Sequence, residues 1–188
     1  MKIVANAAPL LTAAALLALV GCGTPADSPG MRLSAVESLQ MRAWVPEALK
    51  YQMVLESVTG GQPTGRFWGA KISNASLQEA LSESLHSLGL LSNTPGVGRY
   101  LLSVNLVALD QPLFALNMKV SVVMDYTLID KNAGDKVVYQ RRLRSLHTVQ
   151  FLDSMVDPNE RTRQASEEAV HQNVTTMVRE LMEMNWPA

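Results

Sequence analysis

One cysteine, Cys22, stands in a chain of 188 residues. A lone thiol makes no internal disulfide, so it is an inert core group, a reactive thiol or a site of modification. Charge is sparse and balanced, with 18% charged residues and a net charge of -1. That leaves no electrostatic footprint for nucleic acid, and no nucleic-acid partner is expected. The three histidines, His86, His147 and His171, fall in different segments without H-x-x-x-H spacing, so no metal site is expected. There is no G-x-S-x-G turn to present a nucleophile. G-G-Q-P-T-G-R at 60–66 has no phosphate-binding lysine, and there is no G-x-G-x-x-G loop. No internal repeat is present, which excludes a hexapeptide β-helix. Ser82, Ser84 and Ser87 lie on or near the polar side of a predicted helix, and Glu167 and Glu168 read as a solvated face. No catalytic constellation emerges, so the expectation is a non-enzyme without cofactors. With 47% apolar residues, a packed body is expected rather than disorder.

The apolar material begins at the N-terminus. Lys2 supplies a positive start, Ile3 to Val20 is nearly continuous Ala, Leu and Val, and Gly21 is a small residue just before Cys22. That order describes a secretory signal peptide. The run is close to the ~20 residues of a transmembrane span, so length alone does not exclude an anchor helix. The tetrapeptide L-V-G-C at 19–22 resembles the bacterial lipobox, and the resemblance decides between them. It implies cleavage after residue 21, with a diacylglycerol and an N-acyl chain carried covalently by Cys22. Several acyl chains hold a protein firmly to a bilayer where one does not. In lipoproteins of this type an aspartate after the cysteine often means inner-membrane retention. Here Gly23 follows, which implies the outer membrane, periplasmic face, with the inner membrane as the lesser alternative.

The expected domain division is a signal peptide over 1–21, a lipidated N-terminus and tether over 22–45, and one domain over 46–188. Residues 23–33 are rich in Gly, Pro and small polar residues and have no hydrophobic period, which reads as a tether. Ser34 to Trp44 shows some helical pattern but no strong cap, and its role stays unassigned. Alternation at Leu49, Tyr51, Met53 and Leu55 predicts a first strand, followed by a loop from Thr59. Ser76 and Glu79 form an S-x-x-E capping box, and Leu77, Leu81, Leu85 and Leu88 fall on one face of a helix that Gly89 closes.

Three strands follow. Tyr100, Leu102, Val104, Leu106 and Ala108 line one face of the first; Leu116 through Leu128 alternate in the second; Val137, Tyr139, Leu143 and Val149 share a face of the third. D-K-N-A-G-D at 130–135 turns the last two into a hairpin. Placing Asp130 opposite Asp135 pairs Leu128 with Val137 and Val122 with Leu143, leaving Val123 opposite Arg142 and Ser121 opposite Arg144. Asp157-Pro158-Asn159-Glu160 then starts a long helix with an apolar stripe from Ala165 to Met184. The expected class is α+β: a two-layer sandwich in the order β-α-β-β-β-α, with a four-stranded, mainly antiparallel sheet covered by two helices on one face.

This order, with the lipobox, resembles the fold of Gram-negative envelope lipoproteins, including the LPS-assembly lipoprotein and the auxiliary lipoproteins of ABC-type transport systems. The stretch E-R-T-R-Q-A-S-E-E-A-V-H-Q-N-V at 160–174 resembles the Arg- and Ala-bearing helix of small envelope lipoproteins. The resemblance is of fold and transfers no binding residue. Two surfaces stand out from the residues themselves. Lys119, Arg142 and Arg144 form a basic strip suited to a phosphate or carboxylate, or simply a charged, soluble sheet face with Asp125 as counter-ion. Gly60, Gly61, Phe67 and Trp68 form a Gly-rich loop with two aromatics, either a contact site or a cover for one end of the core. The expected function is a binding or accessory lipoprotein in envelope assembly, transport or maintenance. Its partners would be the membrane, through the anchor, and an envelope protein or an amphipathic or anionic lipid. The alternatives are an envelope enzyme acting on peptidoglycan or lipid, and a structural subunit of a secretion or pilus machine.

Overall fold

The computed structural model describes residues 25–62, 71–112, 116–151 and 157–186. The apolar run 3–20 and Cys22 lie outside them. Two short helices come first, α1 (Ser28–Met31) and α2 (Ala35–Arg42). The body then runs β1 (Met53–Thr59), α3 (Asn74–Ser87), β2 (Tyr100–Asp110), β3 (Met118–Asp130), β4 (Lys136–Val149) and α4 (Pro158–Glu183). The sheet order is β1-β2-β3-β4, with β1 parallel to β2 and the other two pairings antiparallel. A parallel neighbour needs a crossover, and α3 is that crossover. The α+β sandwich is therefore as expected, with one parallel pairing in the sheet.

The two long helices cover one face. α3 packs on β1, and α4 packs on β3 and β4. Leu77, Leu81, Leu85 and Leu88, the predicted stripe of α3, are all fully buried, as are Ala165, Ala169, Val170, Val174, Met177, Val178 and Leu181 of α4. Burial of each large aliphatic side chain is worth about 1.5–3 kcal/mol. Across the interface stand Tyr100, Leu102 and Val104 of β2 and alternate residues of β3 from Met118 to Leu128.

Several boundaries differ from expectation. Ser73, not Ser76, caps α3, its Oγ accepting from the Ser76 N–H at 3.0 Å. Leu49 belongs to a 3-10 turn and Tyr51 has φ of +57°, so the first strand starts only at Met53. Gly89 does take positive φ, +72°, and the Leu90 N–H returns to Leu85 O at 2.9 Å, closing α3 as a Schellman motif. At the start of α4, Asp157 accepts from the Asn159 N–H at 2.8 Å, while Glu160 turns forward to Arg163 instead of completing a box.

The expected tether is largely absent. The Ala26 N–H donates to Lys71 O at 3.2 Å, and Ala26, Met31 and Leu33 join the core. α1 lies against both α3 and α4, and α2 lies against α3. Gly30 permits the approach, since a Cβ there would stand 2.1 Å from Glu167 Oε2. Ser34 and Glu37 form a full capping box on α2, a cap the sequence reading passed over. Isolated apolar residues at 26, 31 and 33 have no period, and only the groove they fill explains their burial.

Candidate functional site

The hairpin register fixes which side chains share the open face of the sheet, the face without helices. Met124 pairs with Leu143, Asp125 with Arg142 and Leu128 with Tyr139. This is two residues away from the expected pairing. The 3-10 turn Lys131–Ala133 and an irregularity between Leu128 and Ile129 take up the difference. An even shift keeps every side chain on its face, which is why the apolar pattern could not detect it. Val137 and Ala108 are exceptions. A bulge near each turns them onto the open face, beside Ile129 and Val123 respectively.

Lys119, Arg142 and Arg144 therefore do lie on one face, but with different neighbours. Arg142 Nε and Nη2 donate to the two Asp125 carboxylate oxygens, both at 2.7 Å. That fork holds the Asp125 carboxyl below its ordinary range. Arg144 Nε donates to Ser121 Oγ at 2.9 Å, and no described carboxylate pairs with it. Lys119 is exposed at the far end of the strand and likewise pairs with no described acid. So the strip divides: a neutralised Arg142, then two cations, Arg144 and Lys119, flanking Ser121, Leu146 and Thr148. Arg141, on the helix face, reaches Glu180 at 3.5 Å.

Beside that pair is an open cleft of about 470 Å³ lined by Tyr139, Gln140, Arg141, Glu180 and Glu183. Tyr139 donates its hydroxyl to Glu180 at 2.8 Å, and burial, then that hydrogen bond and the Glu180 charge, hold the phenol protonated well above its usual range. It is a donor there, not a base. Gly60 edges a smaller cleft of about 160 Å³ shared with Ile72, Leu106 and Ala108, and Gly61 does not line it. Gly60 has φ of +83° and lies against Leu106 O, while the Gly61 N–H donates to Asn74 Oδ1 at 2.7 Å. These glycines splice the end of β1 to β2 and α3. Phe67 and Trp68 lie outside the described residues.

The remaining polar groups serve packing. Asn173 of α4 accepts from Tyr126 at 3.0 Å and donates to Leu143 O and Ser145 Oγ, both at 3.1 Å. Glu167 takes the Asp27 N–H at 2.7 Å and Arg163 Nη1 at 2.6 Å, although burial raises its carboxyl pKa. Both belong to the 160–174 stretch that carries the lipoprotein resemblance, and both hold α4 to its neighbours. His171 touches Arg32 O and Glu37 Oε1, and His147 touches Gln172. Among the described residues no serine is aligned with a histidine base, and no group of His, Cys, Asp and Glu is placed to hold a metal.

Sequence reasoning missed one surface. Val36, Leu39 and Trp44 are 64%, 72% and 79% exposed on and just after α2. The signal lies in the i, i+3 spacing of Val36 and Leu39, which carries weight only once residues 35–42 are known to be helical.

No family model matches the chain, and no curated protein matches it in sequence. Solved structures do. A Xanthomonas campestris protein of the DUF330 family matches with a TM-score of 0.54 at 13% identity, over 73% of this chain and 88% of that one. At that identity the likeness shows a shared fold. A candidate lipoprotein from Caulobacter crescentus CB15 aligns at a TM-score of 0.47 and 14% identity, over 76% of this chain and 93% of that chain. Lipoprotein GNA1162 from Neisseria meningitidis aligns at 0.39 and 10%, over 70% and 97%. Scores this low carry no argument for the present chain. No helix among the described residues is long and apolar enough to cross a membrane.

Proposed function

We propose that this chain is a bacterial envelope lipoprotein, held by acylated Cys22 at the periplasmic face of the outer membrane. It acts there as a non-enzymatic binding or accessory component in envelope assembly, transport or maintenance. The observation that carries the reading is the signal-type segment ending in Leu19–Cys22, with the chain's single thiol at the position a lipobox requires. The α+β sandwich is compatible with the LPS-assembly and ABC-transport auxiliary type of lipoprotein that the sequence resembles. Anchoring confines the body to a thin layer and raises its effective concentration at other membrane components. The surface offered to a ligand is the open sheet face at Arg144 and Lys119, whose charges suit the phosphate or carboxylate of an anionic amphipathic molecule.

Cys22→Ser tests the anchor. The variant should accumulate as an unprocessed precursor and leave the membrane fraction. If it still pellets with outer membrane after a salt wash, the anchor reading is wrong.

A further inference from the structure

The exposed apolar residues Val36, Leu39 and Trp44 lie on the same short stretch of chain as the proposed anchor. We infer that α2 and Trp44 rest on the bilayer surface and orient the body, so that the protein touches the membrane with its helical side as well as with its lipid. The inference rests on the lipidation of Cys22 proposed above.

Its basis is the number of residues between Cys22 and the first docked point of the body. Ala26 is buried and hydrogen-bonded to Lys71 O. Four residue steps separate it from Cys22. At ~3.3–3.6 Å per residue the Cys22 Cα stands no more than about 14 Å from that of Ala26, a docked point of the body. A tether of eleven residues would let the body turn freely, whereas four steps press it against the headgroups. From Ala26 the chain crosses the helical side: α1 on α3 and α4, then α2 on α3 with Ser38 Oγ 2.8 Å from Ser87 Oγ. The residues that point away from this support are Val36, Leu39 and Trp44. One exposed aliphatic residue is ordinary, but here an exposed i, i+3 pair on one side of α2 is followed by an exposed Trp two residues past its end. Trp is the side chain that favours the membrane–water boundary, and an amphipathic helix lies flat in it. Arg42, at the end of α2, is exposed and donates through Nη2 to Tyr51 Oη at 3.0 Å, which leaves its other donors open to a headgroup phosphate. The open sheet face, on the other side of the molecule, would then look away from the bilayer and stay free for a ligand.

The test uses the full-length lipidated protein in vesicles of phosphatidylethanolamine and phosphatidylglycerol carrying acyl-chain bromine. Trp fluorescence should be quenched by a component that Trp44→Phe removes, with the melting temperature unchanged, since Trp44 touches little of the body. Undiminished quenching in Trp44→Phe, with a mass showing an acylated N-terminus, overturns the orientation and leaves the anchor standing. An unmodified N-terminus and failure to float with the vesicles overturn both. Leu39→Cys separates a further occupant. With Cys22 acylated it provides the only free thiol. It should react slowly with a water-soluble maleimide in vesicles and quickly in detergent. An efficient disulfide between two copies in the membrane would instead assign the stripe to a second copy and overturn the inference.

Discussion

Gly60 and Gly134 share a backbone hand but not a neighbourhood. Gly60 has φ of +83° with Leu106 O only 2.0 Å from where a Cβ would stand; Gly134 has φ of +69° and nothing within 4 Å. Gly134→Ala should cost about 1 kcal/mol from left-handed backbone alone. Gly60→Ala should cost distinctly more, because β2 must also move. Urea denaturation of the two variants gives the comparison directly, and equal losses would mean that the Leu106 contact is relieved without cost. The Gly-rich loop was legible as a loop, but which of its glycines is indispensable was not, since that depends on a carbonyl forty-six positions away. The cations are similar. Lys119, Arg142 and Arg144 were legible as one face, whereas the two-residue shift that neutralises Arg142 came from the turn. Arg144→Glu should therefore weaken binding of short-chain phosphatidylglycerol more than Arg142→Glu does, as read by titration calorimetry.

At the scale of elements, the Asn173 amide of α4 bonds both strands of the hairpin, reaching Tyr126 of β3 and Leu143 and Ser145 of β4. Tyr126→Phe removes the buried hydroxyl that bonds Asn173 at 3.0 Å and lies 3.5 Å from Met124 Sδ, and should cost about 1 kcal/mol. Asn173→Ala also leaves Tyr126 OH and Leu143 O without that partner and should cost more, by chemical denaturation. The start of β2 and the end of β3 are clamped by Arg99, whose Nε and Nη2 both reach Asp130 within 3.1 Å. The Arg99 hydrogen bonds hold the Asp130 carboxyl below its ordinary value. A carboxyl lowered by folding stabilises above its unfolded pKa, about 3.9, and loses that contribution as pH falls through the lower folded value. The gap in melting temperature between wild type and Asp130→Asn should thus be full at neutral pH and close in strong acid. A gap that persists unchanged in acid would assign the loss to packing.

For the whole molecule, the test is where the body begins. Met31, fully buried among α1, α3 and α4, lies in a stretch that reads as spacer. Met31→Ala should destabilise the domain as a unit by about 2–5 kcal/mol, with one cooperative transition. A spacer would show no effect. The periodic elements were open to sequence reading: the α3 and α4 stripes and the alternation of β2 to β4 each repeat often enough to fix a type and a face. What repeats once, as at Ala26, Met31 and Leu33, carries no period and is seen only as occupancy of a groove. The sequence by itself determined the sandwich, its buried faces and the single thiol behind an apolar run, because those depend on local periodicity and on residue chemistry. The tertiary structure alone decided the hairpin register, the pairing of Arg142 with Asp125, the docking of the chain at Ala26 and the exposure of Trp44. Each of these depends on distances between residues remote in sequence, which no local pattern encodes.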